Sequence, residues 1–225
     1  PDCNMMLRDK FWWLVFPFLI MILQVLVEIF CSAEQKEALL AEGGIHENFQ
    51  ALVMIVTLVL TIPVFRAVQG KWLRIWFGIM LLGSLYVGGE ELSWGQWLFN
   101  WQTPSEWAAL NDQNETNLHN VSDWLDQKPL IILQFGVLVG GIIVPLLRQF
   151  HPTVLPQRFT AIYADMTILP VSLFCLALKL LDTYNDATHS QYIFWRVQEI
   201  FELYLYYFIL IYILIMRKRF LPQAP

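Results

Sequence analysis

The stretch LRIWFGIMLLGSLYVGG (residues 73–89) runs directly into EELSWGQ (residues 90–96), and this junction decides how the chain is read. Seventeen residues with a single charge, Arg74, are nearly enough to cross about 30 Å of hydrocarbon as a helix. Two adjacent carboxylates, Glu90 and Glu91, then stand at the end of that run. Charged groups at membrane depth are costly and need partners, so their position marks a site. A dense polar cluster follows: Asn111, Asp112, Gln113, Asn114, Glu115, Asn117, His119 and Asn120.

Composition outside this segment agrees with a membrane setting. Hydrophobic residues make up 57% of the 225-residue chain, charged residues only 15%, and mean hydropathy is +0.50. Those values lie far from a soluble average. The net charge of −5 argues against nucleic acid as a partner. Cys3, Cys31 and Cys175 are far apart and odd in number, so no disulfide framework is expected, and Cys175 reads as a small buried apolar residue.

Six hydrophobic stretches are expected to span: 11–30, 49–65, 73–99, 129–147, 159–181 and 191–216. None alternates with a period of two, which excludes a β-barrel pattern. The expected fold is therefore all-α, a six-helix transmembrane bundle in a single integral membrane domain over 1–225. A folded loop over 100–128, on the side opposite the termini, would join the third and fourth helices. Basic residues fall on alternate connections: Arg8 and Lys10; Arg66, Lys71 and Arg74; Arg148 and Arg158; Arg217, Lys218 and Arg219. The other connections are acidic. By the positive-inside rule both termini are cytoplasmic. The first run is too long for the core of a removable signal peptide.

This topology places the unusual residues on one side. Glu28, Glu90, Glu91, Glu199 and Glu202 are membrane-level acids, set against Lys179 and Arg196. On one helix, Arg196, Glu199 and Glu202 would share a face. If the five acids met in one cavity, three charges would lack a base. Raised carboxyl pKa values or a bound cation would then be required. The functional reading makes Glu90 and Glu91 the catalytic carboxylates. Glu91, His119, Glu199 and Glu202 would hold a divalent metal, with zinc, iron or manganese suited to mixed oxygen and nitrogen ligands. Glu28, Gln96, Asn111, Gln113, Glu115, Asn117, Asn120, His189 and Arg196 would support them. The structural reading has Arg196 pair with Glu199 or Glu202 while Glu90 and Glu91 cap loop amides. His46 would begin the second helix with Asn48 as its N-cap.

The spacing matches no His-x-x-x-His, His-Glu-x-x-His or Glu-x-x-His ligand pattern. Ser93 lacks the preceding glycine of a nucleophile elbow. The run Gly88-Gly89-Glu90-Glu91-Leu92-Ser93-Trp94-Gly95-Gln96, then Thr103-Pro104, then Asn111 through Asn120, resembles the signature of a family of bacterial integral membrane proteins with no established activity. The resemblance implies bacterial origin and an inner-membrane location, and no reaction. The glutamate pair is also similar to that of intramembrane CAAX-type proteases. The arginine expected after such a pair is missing, with Gln96 in that region, and the following histidine motifs are absent.

Two functions follow. One is a carboxylate and histidine site at the periplasmic interface, metal-bearing and acting on lipid or a lipid-linked substrate, since it lies at headgroup depth. The other is a non-catalytic accessory subunit beside other membrane proteins. Membrane lipids are partners in either case.

Overall fold

The computed structural model describes residues 10–40, 43–108, 116–118, 123–190 and 193–221, excluding the side chains of residues 97, 98 and 123–127. It is all-α, with no strand among the described residues. The elements are α1 (Phe11–Phe30), α2 (Ala33–Leu40), α3 (Ile45–Ala67), α4 (Lys71–Glu91), the short α5 (Gln96–Phe99) and α6 (Ser105–Ala108), then α7 (residues 123–150), α8 (Leu169–Thr188) and α9 (Val197–Phe220). Six segments are long and apolar enough to cross a membrane: Phe11–Phe30, Ala33–Ala67, Lys71–Glu91, Lys128–Phe150, Met166–Thr188 and Val197–Phe220. Large apolar side chains point outward along them, Leu82, Ile132 and Leu180 among them. In water such exposure would be unfavourable, whereas lipid accepts it.

The chain divides into two compact units, Pro1–Ala38 with Gln134–Met216, and Leu39–Leu133 with Arg217–Pro225. In the first, α9 carries the core. Its tyrosines reach out to carbonyls: Tyr204 Oη donates to Pro17 O at 2.6 Å and Tyr207 Oη to Trp12 O at 2.6 Å. The second bond has a local cause. Residues 11–15 are wound as a π-helix, in which the Phe16 N–H reaches the Phe11 carbonyl. In that register the Trp12 carbonyl would meet residue 17, a proline with no N–H. The Tyr207 hydroxyl supplies the missing donor. The π-helical stretch Val137–Ile143 likewise lies just before a proline, Pro145.

In the second unit α3 and α4 form an antiparallel hairpin. A Cβ on Gly88 would lie 3.3 Å from Met54 Cβ, so the two helices touch closely there. The start of α3 differs from the sequence reading. Gly44 is its N-cap, not Asn48, which sits one turn inside. The Asn48 amide instead donates to Gly43 O and Gly44 O at 2.8 and 2.7 Å, while Glu47 Oε2 accepts from the Gly43 N–H at 2.6 Å. His46 is buried, and neither of its ring nitrogens has a hydrogen-bond partner among the described residues. At the start of α2, Ser32 and Gln35 form a reciprocal capping box, with bonds of 2.9 and 3.2 Å.

Three of the other helix boundaries that differ from expectation each have a local reason. The third helix ends at Glu91 rather than at residue 99, because Ser93, Trp94 and Gly95 all take positive φ. The fifth begins at Leu169 rather than at 159. Residues 157–162 form 3₁₀ turns, and Asp165 accepts from the Thr167 N–H at 3.0 Å to cap the entry into Met166–Ile168. The sixth begins at Val197 rather than at 191, because Ile193 and Arg196 have φ of 73° and 51°. Arg196 therefore precedes that helix and shares no helical face with Glu199 and Glu202.

Candidate functional site

The junction at Glu90 is built almost entirely from its own sequence. A Cβ on Gly89 would lie 3.0 Å from the Trp94 ring, so the indole packs tightly over the glycine. From there Trp94 Nε1 donates to Glu90 Oε1 at 2.5 Å. The other oxygen, Oε2, accepts from the Leu118 backbone N–H at 2.6 Å. The glutamate is only 3% exposed, so the acceptor end of each bond is shielded from solvent, and a charged acceptor makes the stronger bond. Gly95, at φ 100°, lets the chain reverse after Trp94.

Two further side chains of the motif hold the same returning segment. Gln96 Oε1 accepts from Thr116 N and Thr116 Oγ1 at 2.7 and 2.6 Å, and its Nε2 donates to Thr103 Oγ1 at 2.9 Å. Asn117, almost fully buried, donates to Ser93 Oγ at 3.3 Å. Residues 116–118 are thus bound down over the end of α4 by Glu90, Ser93 and Gln96. Glu91 is half-buried beside this latch. Of the other expected site residues in this loop, Asn111, Gln113, Glu115, His119 and Asn120 lie outside the described residues.

The remaining candidates belong to the other unit, where two arrangements appear. The first is a clamp. Glu28 Oε1 pairs with Lys36 Nζ at 2.5 Å, and its Oε2 accepts from the Trp195 N–H at 3.1 Å. Glu37 Oε1 pairs with Arg196 at 2.6 Å, and its Oε2 accepts from Trp195 Nε1 at 3.2 Å. Lys36 and Glu37, absent from the sequence-level tally of membrane acids and bases, therefore carry part of the charge balance. Their signal was legible in one respect: Lys36 lies eight residues after Glu28, across the Ser32 break. The Arg196 pair joins residues 159 apart in sequence, and no local spacing reveals it.

The second arrangement is a cleft of about 630 Å³ between the end of α8 and the start of α9. Asp182, Asp186, His189, Arg196 and Glu199 line it, with Asn185, Ser190 and Gln198; buried Phe194 and Val197 contribute apolar surface. Three of the expected site residues, His189, Arg196 and Glu199, meet here. Glu202, one turn on, accepts from Gln198 Nε2 at 3.0 Å. Asp182 is paired with Lys179 at 2.8 Å and Arg196 with Glu37, and the lining holds three carboxylates, Asp182, Asp186 and Glu199, against one guanidinium, so the cleft is acidic on balance. His189 ends α8 in the left-handed conformation at φ 51°. With Ile193 and Arg196 it makes three non-glycine residues at positive φ within eight positions, a concentration of strain of the kind found at functional segments.

Among the described residues no group of three or more His, Cys, Asp or Glu side chains is arranged to hold a metal ion. In class, six apolar helices with polar networks at their ends fit an integral, multi-pass membrane protein. The chain matches no protein-family model, no curated protein and no solved structure.

Proposed function

We propose that this is a bacterial inner-membrane protein, with both termini cytoplasmic, that binds the polar headgroup of a lipid or lipid-linked substrate in the cleft between α8 and α9. The observation that carries this reading is the cleft itself, where His189, Arg196 and Glu199 converge with Asp182 and Asp186. Its net acidity suits a headgroup that brings an amine or several hydroxyl donors. In this reading Asp186, Glu199 and His189 are the groups that meet the ligand. Glu90 is a positioning residue, because its two oxygens already hold Trp94 and Leu118.

A photoactivatable phosphatidylethanolamine tests it. In reconstituted vesicles, labelling should map to the segment 182–199 and fall several-fold in Asp186→Asn and Glu199→Gln. Labelling confined to other segments, or unchanged in both variants, would overturn the reading.

A second reading, a non-catalytic accessory subunit, draws on a different observation. The carboxylates of Glu28, Glu37 and Glu90 are all engaged in holding connections in place, which makes rigid outer surfaces of the kind a partner subunit can dock against. A second membrane polypeptide that stays at fixed stoichiometry through gel filtration, with no cleft labelling, would favour this reading over the first.

A further inference from the structure

Six cations converge at one end of the unit formed by Leu39–Leu133 and Arg217–Pro225. Arg66 lies in the last turn of α3, Lys71 and Arg74 in the first turn of α4, and Arg217, Lys218 and Arg219 in the last turn of α9. Two contacts bring the third segment to the other two. Arg217 Nη1 donates to the Leu60 carbonyl at 3.1 Å, and the Phe220 ring meets the Phe77 ring edge-on at 5.6 Å. The sequence holds no Asp or Glu between Glu47 and Glu90, and none after Glu202. No carboxylate of these segments therefore offsets the positive charge. Arg66, Lys71 and Arg74 are exposed.

Two of these positions run against local electrostatics. Lys71 and Arg74 occupy the positive end of the α4 dipole, where acidic side chains would be favoured and none is present. Trp72, 40% exposed on the same turn, is the residue type that seats at the headgroup level of a bilayer. Orientation of the chain needs basic flanks on each inner loop, but it does not need three of them gathered against one hairpin end.

We propose that this end of the unit is a binding site for anionic phospholipid headgroups of the surrounding bilayer, and that a headgroup with two phosphates binds there in preference to one with a single phosphate. Clustered Lys and Arg beside a membrane span attract anionic lipid additively, about fivefold in affinity for each charge near the surface. Two phosphates can engage cations from two of the three segments at once. None of the cleft residues takes part, so this site stands or falls independently of the headgroup cleft.

Native mass spectrometry of the full chain in detergent tests the proposal, with cardiolipin, phosphatidylglycerol and phosphatidylethanolamine each added in turn. The expected order of affinity is cardiolipin, then phosphatidylglycerol, then phosphatidylethanolamine, with cardiolipin binding weakened as ionic strength rises. Equal affinity for all three would overturn it, and this arm needs no variant to insert or fold. The triple variant R66Q/K71Q/R74Q should bind cardiolipin about a hundredfold more weakly, taking the per-charge factor three times. Arg158→Gln, in the other unit, should bind it as the parent does. Parental binding by the triple variant would overturn the proposal. So would displacement of cardiolipin by millimolar inorganic phosphate, since the ligand would then be free phosphate.

Discussion

Glu90 shows how much one side chain can hold. Its carboxylate is the sole acceptor described for the Leu118 N–H and for Trp94 Nε1; the glutamate is buried and Leu118 half-buried, whereas Trp94 is 46% exposed. Replacing it with alanine leaves two donors without that acceptor, at about 1–3 kcal/mol for the Leu118 N–H and less for the half-exposed indole. Glu90→Ala should therefore destabilise the fold by about 1–4 kcal/mol, read as a lowered unfolding midpoint in detergent. Glu90→Gln keeps one oxygen and should fall between the two. A variant as stable as the parent would mean that the loop is held elsewhere. The sequence already showed that Glu90 needed partners. It did not show which, since Leu118 lies 28 residues away.

Helix packing turns on a different residue, Gly141 in α7. A Cβ there would lie 2.3 Å from Ser172 Oγ and 2.6 Å from Phe208 Cε2, so α7 meets α8 and α9 at a point with no spare space. Gly140, one position earlier, faces nothing within 4 Å. Gly141→Ala should cost about 1–3 kcal/mol through overpacking. Gly140→Ala should be neutral or slightly stabilising, because it limits the unfolded chain without a clash. Ser172→Gly removes one of the two obstructing groups and should recover part of the Gly141→Ala loss, which a double-mutant cycle in thermal unfolding would read as coupling. Additive effects would contradict the packing seen here. From the sequence the two glycines are indistinguishable, because which one faces a neighbour depends on the π-helical winding of Val137–Ile143.

At the scale of the whole molecule, the proposed orientation makes a prediction that the polar networks alone do not. In a cysteine-free background, Ser105→Cys should react with an impermeant maleimide from the periplasmic side, and Gln223→Cys only after permeabilisation. Labelling of Ser105→Cys only from the cytoplasmic side would overturn the proposed orientation.

Spans, helical class and the need of Glu90 for partners were legible in the residues themselves. Apolar length and the lack of a two-residue period depend only on neighbours along the chain, and so does the penalty for acids at membrane depth. Boundaries were less legible, because Ser93–Gly95, Asp165 and Arg196 end or begin helices through backbone angles and caps that compete with strong apolar runs. What only the tertiary structure decided was pairing. Arg196 shares the end of an apolar run with Glu199 and Glu202, yet it pairs with Glu37, 159 residues away. Tyr207 completes a proline-broken turn 195 residues earlier. Charge and hydrogen-bond capacity are properties of a residue, whereas the partner that satisfies them is set by which distant segments the packing brings within about 3 Å.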